Sequence, residues 1–198
     1  MIVEILSSFL KSFITLFVIM DPFGGIPVFI SVTKGMSLKN RIKNADRAII
    51  VASLLLFLFL FFGSNIFGIF NISISSFMIA GGIILMIIGI LQVLGISLYD
   101  KYVKKDIDVA SVPIGTPLLT GPGVITSTII MVETYGIIIP FFAASATLLL
   151  SWYIYRHSEL IYRFIGLHGA KILSKVMGIL LTAIAVEFIK NGISAYLF

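Results

Sequence analysis

The sequence predicts an all-α polytopic membrane protein with six transmembrane helices, arranged as two inverted three-helix repeats whose first and fourth helices are broken. Three observations carry that prediction. Of 198 residues, 59% are apolar and only 12% charged, with a mean hydropathy of +1.15, against about 45–50% and about 25% in soluble domains. The apolar residues fall into runs long enough to cross a bilayer, which takes about 20 residues of helix. Two of these runs are interrupted by proline and glycine at corresponding places, near Asp21-Pro22 and Gly121-Pro122. With so few charged side chains to cover a water-facing surface, most of the exterior must face lipid. The chain therefore reads as a single integral membrane domain over 1–198, with no room for a soluble catalytic or nucleotide-binding module.

The spans follow from the charge-free runs. The first covers Ile5 to Thr33 and contains Asp21. Between Arg47 and Asp100 lie 52 uncharged residues, about 78 Å as helix at 1.5 Å per residue, so this stretch crosses twice. Its turn falls at Gly63-Ser64-Asn65 through Asn71 and Ser73, residues that favour turns and polar solvation. Ala48 to Phe70 and Ser75 to Leu98 are then the second and third spans. Val109 to Val132 and Thr134 to Tyr155 are the fourth and fifth, parted by Glu133 and Tyr135-Gly136, and Val176 to Phe198, with Glu187 and Lys190, is the sixth. Met1-Ile2-Val3-Glu4 lacks the basic start of a cleavable signal, so retention of the N-terminus is expected.

The net charge of +5 says less than its distribution. Lys34, Lys39, Arg41, Lys43 and Arg47, then Lys101, Lys104 and Lys105, then Arg156, Arg163, Lys171 and Lys175 all follow odd-numbered spans. The opposite side has only Lys11 and Lys190 near the termini. The positive-inside rule then makes the basic loops cytoplasmic and puts both termini outside. These cations are topology signals and do not suggest nucleic acid as a partner. Tyr99, Tyr102, Trp152, Tyr153, Tyr155 and Tyr162 are expected as an interfacial aromatic belt. Leu160, Ile161, Phe164, Ile165 and Leu167 have the spacing of a short amphipathic helix lying on the membrane surface.

Asp21-Pro22-Phe23-Gly24 aligns with Gly121-Pro122-Gly123-Val124, and Ser76 to Leu85 with Ser174 to Thr182. Repeat one is then 1–98, the basic cytoplasmic linker 99–109, and repeat two 110–198. Each repeat has an odd number of spans, so the two cross in opposite senses, as in many secondary transporters. Pro22, Gly24, Gly25 and Pro27 in the first span, and Pro113, Gly115, Pro117, Gly121, Pro122 and Gly123 in the fourth, are expected to unwind. Unwound backbone at membrane depth must be buried in protein or line a cavity, so a shared central site is predicted. Glycines 81, 82, 89 and 178 read as close helix-packing positions.

A broken helix offers donors and partial positive charge at the start of its second piece, and carbonyls at the end of its first. That pattern suits a zwitterion: a carboxylate near Pro122-Gly123 or Pro22, and an ammonium near carbonyls and Asp21. Amino acids satisfy both ends. Asp21, Pro22, Gly24, Gly25, Thr120, Gly121, Pro122, Gly123 and Thr126 are the candidate substrate-binding residues, with Thr116 and Ser31 as further hydroxyls. Asp21 and Glu187 lie far from the predicted interfaces, where a carboxylate must be paired, hydrated or protonated. They are the candidate ion-coupling residues. Asp21 before Pro22 also suits a helix cap, and Glu187 also suits a local pair with Lys190 or Asn191.

The segments Ile19-Met20-Asp21-Pro22-Phe23-Gly24-Gly25-Ile26-Pro27-Val28-Phe29, Pro113-Ile114-Gly115-Thr116-Pro117-Leu118-Leu119-Thr120-Gly121-Pro122-Gly123 and Ala183-Ile184-Ala185-Val186-Glu187-Phe188-Ile189 together resemble the MarC family of integral membrane proteins, of UPF0056 type. The resemblance covers nearly the whole chain. It implies six helices in the inner cell membrane and, through one branch of the family, ion-driven uptake of glycine and alanine at the broken first and fourth helices. The chain departs from the family pattern at Gly25, where many relatives have Asn, and at Glu187, where many have Gln.

The function expected is secondary active transport of small neutral amino acids coupled to a proton or sodium gradient. The alternatives are an exporter or channel for another small solute, or an intramembrane enzyme. An enzyme is disfavoured because no Ser–His pair falls within a span, and Asp21 and Glu187 sit in no protease motif. His157, Glu159 and His168 fit no familiar metal-ligand spacing, and the absence of cysteine removes thiolate chemistry. No cofactor or metal is expected. Lipid surrounds the chain, and a homo-oligomer is compatible with the sequence.

Overall fold

The computed structural model describes residues 2–96 and 119–197, and every regular element among them is helical. In order these are α1 (Ile2–Met20), α2 (Pro22–Val32), α3 (Leu38–Phe70), α4 (Ile74–Val93), α5 (Pro122–Tyr135), α6 (Ile138–Arg156) and α7 (Ser158–Leu197). Five candidate spans emerge from them: α1 with α2, α3, α4, α6 and the part of α7 beyond His168. The expected fourth span corresponds to α5, a helix of 14 residues, about 21 Å, that runs three residues past the expected Val132; Val109 to Leu118, with Pro113, Gly115, Thr116 and Pro117, lies outside the described residues. So do the basic linker, Tyr99 and Tyr102.

Local chemistry sets the helix ends. Ser73 caps α4, its side chain accepting from Ser76 N at 3.1 Å. At the other end Gly95 adopts φ 74, Ile96 N donates to Leu91 O at 2.8 Å and Gly95 N to Gln92 O at 3.1 Å. This is a Schellman termination, and it ends the third span at Val93 instead of the expected Leu98. Gly136 (φ 73) separates α5 from α6, at the Tyr135-Gly136 turn the sequence suggested. The second span starts earlier than expected because α3 runs on from Leu38 through its basic first turns. Gly166, at φ 67 and ψ 177, interrupts α7. The short piece before it holds Leu160 and Phe164 exposed. The helix after Gly166 begins well before the expected Val176.

The most extensive packing joins α4 and α7, which run antiparallel from Ser75 beside Gly192 to Gln92 beside Gly178. Their backbones touch. A Cβ on Gly82 would lie 2.8 Å from Ala185 O, one on Gly89 2.8 Å from Gly178 O, and one on Gly192 2.8 Å from Ser75 O. With no hydrophobic force between helices in lipid, such close approach is a main source of association. Glycines 82, 89 and 178 are thus packing positions, and Gly81 receives Thr126 of α5. A second core gathers Leu16, Met20, Phe29, Ala48, Ala52, Leu56, Ala144, Leu148 and Tyr155 from α1, α2, α3 and α6.

The exterior is apolar, with Val3, Leu54, Ile69, Leu149, Ile172 and Ile179 among the exposed side chains, the pattern of helices facing lipid. Charged residues gather where α2 meets α3 and α6 meets α7. There Arg41 pairs with Glu159 at 2.8 Å, and Trp152 Nε1 donates to Asp46 at 2.7 Å. Tyr153 is exposed, but Tyr155 departs from the expected belt: it is buried, with its ring 5.3 Å from that of Phe29. Aromatic packing between α2 and α6 has claimed it.

Candidate functional site

The first span breaks at one residue. Asp21 adopts the left-handed conformation (φ 38, ψ 62) between α1 and α2, which a short polar side chain tolerates better than most. The prolines and glycines that follow do not unwind, contrary to the sequence expectation, and form α2 instead. Pro22 sits in the first turn, where its ring presets the helical φ and its missing N–H has no intrahelical partner to lose. Gly24 N donates to Asp21 Oδ1 at 3.0 Å and Gly25 N to Asp21 O at 3.2 Å. Pro27 deprives one carbonyl of its donor but leaves the helix intact. Asp21 is therefore the cap its place before Pro22 suggests.

The cap uses only one carboxylate oxygen. Oδ2 faces α4 and α7, where it accepts from Gln92 Nε2 and from Ser174 Oγ, the latter at 3.4 Å. Gly24 makes this convergence possible, since a Cβ there would lie 2.9 Å from Ser174 Oγ and against the carboxylate itself. Asp21 is only 8% exposed, and among the described residues no Lys, Arg or His pairs with it. A carboxylate so placed costs several kcal/mol unless something balances it.

The start of α5 lies close by. Gly121, in extended backbone, is the N-cap of α5 and has no side chain with which to cap it. A Cβ on Gly123 would lie 3.1 Å from Leu85 Cγ and 3.3 Å from Ile19 Cγ2, so the start of α5 packs between α4 and the end of α1. Thr120 is buried beside it. The end of α1 and the start of α2 thus meet the last turn of α4 at Gln92, while the start of α5 packs on Ile19 and on Leu85, seven residues and about 10 Å along α4 from Gln92. The end of α1 offers carbonyls and the starts of α2 and α5 offer N–H groups, a pairing suited to a small molecule with both charges.

Of the predicted residues, Asp21, Pro22, Gly24 and Gly25 lie at the break between α1 and α2, and Thr120, Gly121, Pro122 and Gly123 lie at the start of α5. Thr126 is buried against Gly81, one helical turn further into the α4–α5 contact. Ser31 is exposed on the last turn of α2. Glu187 does not join them. It pairs with Lys190 at 2.6 Å on an exposed face of α7, 13 residues beyond Ser174 and thus about 20 Å along the helix. The other buried hydroxyls mostly return to their own helices, as Ser127 does to Gly123 O and Thr128 to Val124 O, both at 2.7 Å. No group of three His, Cys, Asp or Glu residues suited to a metal occurs among the described residues.

Sequence reasoning missed Gln92 and Ser174. Gln92 carried a signal, being the only glutamine in the chain and the one side-chain amide of the third span. Ser174 carried none beyond opening a repeat-aligned segment.

Comparison with known proteins gives a consistent picture. The family described as MarC family integral membrane protein matches residues 6–197. A UPF0056 membrane protein of Archaeoglobus fulgidus is 39% identical over 96% of this chain and 93% of its own. The UPF0056 membrane protein MJ1677 of Methanocaldococcus jannaschii is 38% identical over 95% and 97%, and YhcE of Escherichia coli 35% over 93% and 91%. No solved structure matches the chain.

Proposed function

The chain belongs to the MarC family of multi-pass integral membrane proteins, and from that premise we propose that it is a secondary active transporter of small neutral amino acids, the glycine and alanine class. The observation that carries this reading is the buried carboxylate of Asp21, without a cationic partner among the described residues, at the helix break between α1 and α2. The substrate carboxylate is received at Gly121 to Gly123 and its ammonium on the Asp21 side. A proton or sodium gradient supplies the work. The glycine-lined α4–α7 contact lets two rigid halves shift against each other, exposing the site to one side and then the other. In this reading the fold is an inverted repeat of six spans in the inner cell membrane, its basic end is cytoplasmic, and both termini lie outside.

Two experiments test it. Purified protein in proteoliposomes should accumulate radiolabelled alanine above its external concentration under an inward proton or sodium gradient, in a saturable way. Equilibration without accumulation would favour a channel, and uptake of neither glycine nor alanine would end the reading. For sidedness, the native chain has no cysteine, so single introduced thiols report cleanly. Ile72→Cys should react with an impermeant maleimide on intact cells and Lys43→Cys only after lysis; the reverse would invert the topology.

A further inference from the structure

The surroundings of Asp21 Oδ2 hold more than a helix cap needs. Oδ1 alone serves Gly24 N. Oδ2 faces two further polar side chains from two other helices, Gln92 of α4 and Ser174 of α7. The Gln92 amide is only half used: its nitrogen donates to Oδ2, while Oε1 is buried and has no hydrogen-bond partner among the described residues. A buried acceptor left unmet is uncommon in native proteins and points to a missing donor or to a second state in which it is met. The region therefore holds one negative charge and three acceptor oxygens, Asp21 Oδ2, Gln92 Oε1 and Ser174 Oγ, each from a different segment.

A primary ammonium carries one positive charge and three N–H donors, with no acceptor. Its needs match what the cluster offers in both charge and number. We propose that these three oxygens form a primary-ammonium site, and that in the present conformation the Gln92 amide nitrogen holds the place of the ligand nitrogen. On binding, Gln92 withdraws from Oδ2 and turns Oε1 toward the incoming group. It sits in the last turn of α4, just before the Gly95 termination. The ammonium then meets three acceptors, and the carboxylate gains the counter-charge it lacks. A tertiary or quaternary amine, with fewer or no N–H donors, leaves acceptors unmet and is rejected. The identification of this ammonium with that of a transported amino acid rests on the transport reading; the existence of the site does not.

The test measures thermal stabilisation of the full detergent-solubilised chain by methylammonium, tetramethylammonium and sodium chlorides at equal ionic strength. Methylammonium should stabilise the native protein and the other two should not. Asp21→Asn should abolish the effect. Gln92→Leu and Ser174→Ala should each weaken apparent affinity about tenfold, the usual loss for a hydrogen bond to a charged group, while Ser174→Thr, which keeps the hydroxyl, should preserve it. Equal stabilisation by all three salts, stabilisation by sodium alone, or a methylammonium effect that survives Gln92→Leu and Ser174→Ala would overturn the proposal. A parallel competition assay separates the two readings. Alanine uptake inhibited equally by glycine and N,N-dimethylglycine would remove the ammonium site and leave transport standing. Absent amino-acid uptake with intact methylammonium selectivity would do the opposite.

Discussion

Asp21 and Glu187 both lie within the apolar spans predicted from the sequence, and their surroundings differ in every respect that matters. Asp21 is 8% exposed, caps a helix with one oxygen, and turns the other toward an amide and a hydroxyl from two further helices. The Glu187 side chain is 55% exposed and already holds Lys190 at 2.6 Å on its own helix. The sequence places both near mid-span and makes both candidates for ion coupling. Depth in a hydrophobic run is thus a weak guide by itself. A carboxylate acquires a task when burial removes its hydration and nothing local replaces it, whereas a cation three residues along the helix answers the need at once.

The sharpest way to break this contrast is to neutralise Asp21. Asp21→Asn keeps the shape and one cap acceptor but removes the charge, and should reduce alanine uptake at least about 100-fold, as expected when one member of a buried charged contact is lost. Tracer uptake in proteoliposomes reads this directly. Gly24→Ala comes next, because the added methyl presses on the carboxylate and on Ser174 and forces α2 away from α7. A drop in uptake of about tenfold is expected, in line with the cost of overpacking a tight contact. Gly178→Val should act on stability ahead of chemistry, since its side chain meets Gly89 O; a loss of about 1–3 kcal/mol should appear in unfolding of the solubilised protein. The smallest effect should come from Glu187→Gln. An exposed i,i+3 pair contributes little, so uptake should stay within about twofold of native.

Much of the fold was legible because lipid imposes long charge-free runs: the run from Ala48 to Tyr99 had to hold two helices, and α3 and α4 occupy it. The location of the first break was legible in Asp21-Pro22, and the Glu187–Lys190 pair in its spacing. The form of the break was not. Counting prolines and glycines predicts an unwound stretch, yet Pro22 favours the first turn and the Asp21 carboxylate caps Gly24, so α2 stays helical. Gln92 and Ser174 are separated from Asp21 by 71 and 153 positions, and only the close antiparallel packing of α4 on α7 brings them there. Tyr155 misled for the same reason, since an aromatic near a basic loop reads as an interfacial anchor until α2 folds back over it. Local periodicity finds the helices; which of their faces meet is decided by contacts between distant segments.

Alanine uptake by Asp21→Asn and Glu187→Gln, measured side by side under whichever gradient drives the native protein, separates the two carboxylates most sharply. The expected result is near-complete loss in the first, with its thermal unfolding close to native, and near-native uptake in the second. Retained accumulation by Asp21→Asn, or its loss in Glu187→Gln, would contradict the assignment of the site to the break between α1 and α2.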